Sequence, residues 1–200
     1  CASRSGSEER GGDLTPMGTT GATGTTGGMG TTGGMAAAGG MSASAMFADA
    51  NIAAVGSASN QEEIQTSRLA LERGTDQRVR SYAQRMIDEH TRVEQQMMSM
   101  LQAKGMAPMD NALSLQMKRN LPPKLDMLRQ MSGTQFDMGY MMRQIHSHEM
   151  TLLSLDTSLI PEADDPQMKT FLQNTVRPAV AMHLQEAKQL HDALMMAMHR

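Results

Sequence analysis

The sequence predicts an all-α fold, a four-helix bundle with one long crossover, preceded by a low-complexity tail. Three observations carry this. From Phe47 onward the apolar residues recur at the helical period of 3.6. Glycine is segregated, with 13 of its 18 copies in the first 46 residues. The chain holds only three phenylalanines, two tyrosines and no tryptophan, and little Val or Ile, which argues against a β fold.

Residues 1–46 form the first part. From Leu14 to Phe47 there is no charged residue, and Gly, Thr, Ala, Ser and Met dominate, too little apolar surface to offset the entropy of ordering. A six-residue repeat runs through it: Thr25-Thr26-Gly27-Gly28-Met29-Gly30, Thr31-Thr32-Gly33-Gly34-Met35-Ala36, Ala37-Ala38-Gly39-Gly40-Met41-Ser42. A Gly-rich coil of ~45 residues reaches roughly 35–40 Å, which suits a tether. Its methionines (Met17, Met29, Met35, Met41, Met46) are either linker residues or soft ligands for Cu(I). Cys1-Ala2-Ser3 ahead of this stretch resembles the start of a mature bacterial lipoprotein, in which the first cysteine is acylated. That resemblance implies a membrane partner through a lipidated Cys1, and Ala2 in place of Asp points to the outer membrane.

Residues 47–200 form the bundle. The first helix is expected over Phe47–Glu72, with Gly56 as a point of bending, Gly74 as its stop and Thr75 as the next N-cap. The second runs from Asp76 to Lys104, with Val79, Ala83, Met86, His90, Val93, Met97 and Leu101 on its stripe. A connection follows that Pro108 and Pro122-Pro123 keep from being one helix, with a short helix over Lys124–Met131. The third long helix runs from Thr134 to about Ile160 on the stripe Asp137, Met141, Ile145, His148, Leu152, Leu155, Leu159. Pro161 to Pro166 is a turn, with Asp165 as the cap and Pro166 at the first position of the fourth helix. That helix reaches the C-terminus, kinked at Pro178, on the stripe Leu172, Val176, Ala179, His183, Ala187, Leu190, Leu194. Met86, Met97, Met141 and Met182 read as core, whereas Met97-Met98-x-Met100 and Met141-Met142 each place at least one sulfur off the stripes. Two short turns and one long connection describe a ferritin-like bundle, and the helix inside the connection favours a crossover over a floppy loop.

The balance of charge excludes several functions. With 18 Lys+Arg against 21 Asp+Glu, net charge −3, the chain is not a nucleic-acid binder of the electrostatic kind. One cysteine excludes a Cys-based zinc or iron–sulfur site. No nucleophilic arrangement or phosphate loop stands out.

The stripes instead converge on polar groups. At 1.5 Å per residue His90 lies about 22 Å down the second helix and His148 about 21 Å down the third. Glu63 lies about 17 Å down the first and His183 about 27 Å up the fourth, so all four sit near mid-height. They occupy four different helices and are expected to face inward. Three readings stand. They form a hydrogen-bonded layer that sets helix register, or they bind a transition metal (Cu, Zn, Fe or Mn), or one or two histidines point elsewhere. His146 is expected to be exposed, and His191 and the Met195-Met196-x-Met198-His199 end to face solvent. The residues three before the inward histidines are Ile87, Ile145 and Val180, so the Glu-x-x-His pairs of a di-iron centre are absent.

Glu63-Ile64-x4-Leu69-Ala70 and Ser81-Tyr82-Ala83-x2-Met86-Ile87-Asp88-Glu89-His90 resemble the opening of a bacterial ferritin-like family catalogued as domain of unknown function 4142. Ser132-Gly133-x2-Phe136-Asp137-x2-Tyr140-Met141, Ile145-x2-His148 and His183-Leu184-x2-Ala187 continue the likeness in the same order. The family's Asp before each histidine is Glu89 here at the first site and Ser147 at the second. The resemblance implies a ferritin-like bundle that is exported and often lipid-anchored, and it implies no activity. The leading expectation is therefore a non-enzymatic, lipid-anchored envelope protein, facing the periplasm or the cell surface, whose core binds a transition metal through Glu63, His90, His148 and His183. The alternatives are a structural or stress-related interaction module with purely structural histidines, and a metal-dependent oxidoreductase.

Overall fold

The computed structural model describes the backbone of residues 43–198 and the side chains of residues 48–198. The expected lipidation site Cys1, the tail repeat with its methionines, and His199 lie outside the described residues.

Among the described residues the chain is helical, with no strand. Helix α1 spans Ala43–Arg73, α2 Gln77–Ala103 and α3 Ala112–Arg129. Helix α4 begins as Gly133–Ser154 and continues through a π-turn at Leu155–Leu159 into Ile160–Glu162. Helix α5 joins Pro166–Phe171, a second π-turn at Leu172–Val176 and Arg177–Met198.

Side-chain pairs across the helices give their directions. Ser67 meets Tyr140 and Glu63 meets Ser147, so α4 runs opposite to α1. Arg85 pairs with Glu186 and Glu89 with His183, so α5 runs opposite to α2. Asp137, at the start of α4, accepts hydrogen bonds from the backbone N–H of Thr75 and Asp76 in the α1–α2 turn. The long connection thus returns the chain to the end where α1 finished. Helix α3 makes that return along α1: Met109 N–H donates to the Ala50 carbonyl at one end, and Arg73 donates to the Met131 carbonyl at the other. This is the ferritin-like crossover. Buried Glu62 fastens it, receiving Lys124 of α3 at 2.6 Å and Arg143 of α4 at 3.1 Å.

Several local expectations are corrected. The cap of α2 is Asp76, whose side chain accepts from Arg78 N–H, because the Thr75 hydroxyl is taken by Asp137. The crossover helix is not a short piece from Lys124 but the 18 residues Ala112–Arg129, with Pro122 and Pro123 inside it. An Asn111/Ser114 capping box starts it. The prolines leave the carbonyls of Lys118 and Arg119 without donors, and both residues are solvent-exposed, where water can supply them. Gly56 does not interrupt α1. It allows α2 close, since a Cβ there would stand 3.1 Å from the Met97 sulfur. Asp165 caps α5 as expected, accepting from the N–H of Gln167 and Met168. Pro178 follows a π-turn over Leu172–Val176, whose wider bond runs from the Arg177 N–H to the Leu172 carbonyl, and it has no N–H to offer Asn174. Met182 is exposed rather than core, and His191 is half-buried beside Asp192 rather than facing solvent.

Among the described residues the apolar core falls into two clusters. One, near the α1–α2 turn, contains Val79, Met86, Leu128, Phe136 and Tyr140. The other, near the opposite end, contains Ile52, Met97, Leu101, Leu155 and Leu172. A polar layer lies between them.

Candidate metal centre

That layer is built from one position on each long helix. His90 sits on the α2 stripe between Met86 and Met97, His148 on α4 after Met141, His183 on α5 between Val180 and Ala187, and Glu63 on α1. All four are buried. The three imidazoles meet: ring centroids are 5.9 Å apart for His90 and His148, 5.5 Å for His90 and His183, and 5.4 Å for His148 and His183. One ring nitrogen from each lies within 4.8 Å of the other two.

The hydrogen bonds fix each tautomer. His148 Nδ1 lies 2.8 Å from the Gln144 carbonyl, which can only accept, so Nδ1 carries the proton. His90 Nδ1 lies 3.0 Å from Asn60 Oδ1. The Asn60 amide nitrogen donates to Glu94 at 2.8 Å, so its oxygen faces the ring and His90 Nδ1 also donates. His183 Nε2 donates to the Glu89 carboxylate at 2.6 Å. The remaining nitrogens, Nε2 of His90, Nε2 of His148 and Nδ1 of His183, are therefore lone-pair acceptors. All three are buried without a partner. Only five side-chain polar atoms among the described residues share that condition, so the orphans concentrate here. Buried polar atoms rarely go unpaired, and a cluster of them asks for a ligand. Imidazoles whose outer N–H is held by a carboxylate, amide or carbonyl, with the inner nitrogen free, have the arrangement of metal-ligating histidines.

Electrostatics keep two of the rings in the ligating form. Burial pushes His90 down to about 4, against the pull of the nearby Glu63 carboxylate. Burial likewise lowers His183, while its hydrogen bond to Glu89 works in the other direction. Burial alone would raise Glu63, but His148, His90 and the hydrogen bonds from Ser147 and Gln144 outweigh it and hold the carboxyl below its ordinary value.

Glu63 stands beside the histidine group rather than in it. Its Oε2 accepts from the Gln144 amide at 2.8 Å and its Oε1 from the Ser147 hydroxyl at 2.5 Å. Gln144 thereby serves two members of the layer, holding His148 with its carbonyl and Glu63 with its amide. Asn60, Gln144 and the roles of Glu89 and Ser147 escaped the sequence reading. Asn60 lies three residues before Glu63, and Gln144 four before His148, so helical spacing was a usable signal for both. Glu89 and Ser147 directly precede inward histidines on their helices, yet each serves a group on another helix.

A cavity of about 380 Å³ reaches His90 and His183 from below. Val93, Val176 and Ala179 line it, which is why these stripe residues stay half-buried. His146 is exposed, as expected, and borders its mouth.

The model of the family described as Domain of unknown function (DUF4142) matches residues 32–190 of this chain. No curated protein and no solved structure matches it.

Proposed function

The chain belongs to the DUF4142 family, and from that premise we propose that it is a metal-binding bundle, holding one transition-metal ion through His90 Nε2, His148 Nε2 and His183 Nδ1. The observation that supports this is the convergence of three buried lone-pair nitrogens without partners, on rings whose other nitrogens are anchored. A hydrogen-bonded structural layer has no use for inner nitrogens that bond to nothing. Three neutral imidazoles suit Zn or Cu better than Mn, which prefers oxygen ligands. Three protein ligands also leave a coordination position open. Glu63 and Glu89 balance part of the ion's charge from outside the ligand set. The envelope location implied by the family resemblance belongs to the same proposal and is tested by cell fractionation.

Elemental analysis of the full chain, purified without a His tag or chelator, tests the centre. A near-stoichiometric transition metal that His148→Ala abolishes is the expected result. A chain that is isolated metal-free, and whose melting ignores added Cu, Zn, Fe and Mn, overturns it and leaves a structural layer.

A further inference from the structure

The cavity beside the histidines changes character along its length. On α2 its lining passes from Glu89 and His90 to Met97, and on α4 from Arg143 and Ser147 to Leu155. On α5 it passes from His183 back to Val176 and Leu172. Because α2 and α4 run together and α5 runs against them, the polar ends coincide and so do the apolar ends. Both π-turns, at Leu155–Leu159 and Leu172–Val176, contribute to the apolar half. Such bulges recur at functional sites. The stretch from His183 to Leu172 is roughly 16 Å of helix. The mouth opens between α3 and α4, where Leu113 of α3 and Met150 of α4 are 45% and 48% exposed.

Charge selects the polar end's occupant. Lys124 and Arg143 both reach the carboxylate of Glu62, and with Glu89, which is bonded to His183, the charged side chains of the lining sum to zero. A divalent ion on three neutral imidazoles then supplies the positive charge and presents an open position. An anionic head meets both, and the apolar half takes an aliphatic chain. The volume lies within the range of small-molecule sites.

We propose that this cavity binds a medium-chain aliphatic carboxylate, its head at the three-histidine metal and Arg143, its chain in the apolar half. The proposal rests on the metal reading above. Full-length protein is loaded with Co²⁺ and its stoichiometry measured first. Sodium decanoate is then titrated, with acetate and decylammonium as comparisons, following cobalt d–d absorption and calorimetric heat. Decanoate is expected to bind one per chain, change the cobalt spectrum, and bind at least tenfold tighter than either comparison. Val93→Phe and Val176→Phe, on different helices, are each expected to weaken decanoate at least tenfold while leaving helicity, cobalt stoichiometry and the acetate response unchanged. Acetate as tight as decanoate overturns the role of the cavity, and decylammonium as tight overturns the anionic head. A cobalt-loaded chain indifferent to decanoate overturns this proposal alone. A chain that takes up no cobalt overturns the metal reading and the head-group assignment with it.

Discussion

Each histidine of the layer is held from outside, and that governs what single substitutions do. Glu89→Gln keeps a hydrogen-bond acceptor near His183 but removes the charge that favours its donating Nε2–H. Metal affinity is expected to fall roughly 10–100-fold, the usual cost of an altered supporting partner, measured by competition with a chelator. Protonation gives a second prediction. His90 titrates near 4 in the folded chain against an ordinary 6.5 in the unfolded one. Between those values the unfolded state binds more protons, so the metal-free protein loses stability as pH falls through that window. His183, lowered in the same sense, adds to it. Urea midpoints from pH 7 to 4.5 are expected to decline, and less steeply in His90→Gln. Equal slopes in the two proteins would sink the assignment. Asp137 is a third case. It accepts from Thr75 N–H, Thr75 Oγ and Asp76 N–H. Asp137→Ala strands those donors, and a loss of about 2–3 kcal/mol is expected in denaturant unfolding.

At the scale of elements, the caps and the π-turns set where helices start and how they pass the cavity. Asp165 holds the start of α5 through Gln167 and Met168 and pairs with Lys104 of the preceding hairpin. Asp165→Ala is expected to cost about 1–2 kcal/mol, read from the urea midpoint, with metal stoichiometry unchanged. The crossover helix shows how local rules yield. Two consecutive prolines argue for a break, yet Leu125 and Leu128 bury against the core and Lys124 reaches Glu62. Tertiary contacts of this kind outweigh two lost backbone bonds on a solvent-facing side.

For the whole molecule, the site is a joint between two apolar clusters, and the proposed metal would tie three helices, α2, α4 and α5, together there. A ligand bound only by the folded state, at 100 times its dissociation constant, adds about 2.7 kcal/mol. For a domain of this size that raises Tm by roughly 5–10 °C, measured by calorimetry with and without Zn²⁺. His148→Ala is expected to abolish the increment.

Helical period, the Asp165 cap and the inward stripes were legible in the sequence because they depend on neighbours a few residues apart. That is why the four long helices, the Asp165 cap and the mid-height positions of His90, His148 and His183 could be read without coordinates. The tertiary structure alone decided which nitrogen of each ring faces inward, because Asn60, Gln144 and Glu89 set it, two of them from a different helix. It also decided that Glu63 sits in a hydrogen-bond network beside the rings, that Pro122-Pro123 stays helical, and that a cavity remains below the histidines. Each of these depends on how elements far apart in sequence fill shared space, and spacing along one helix carries no record of that.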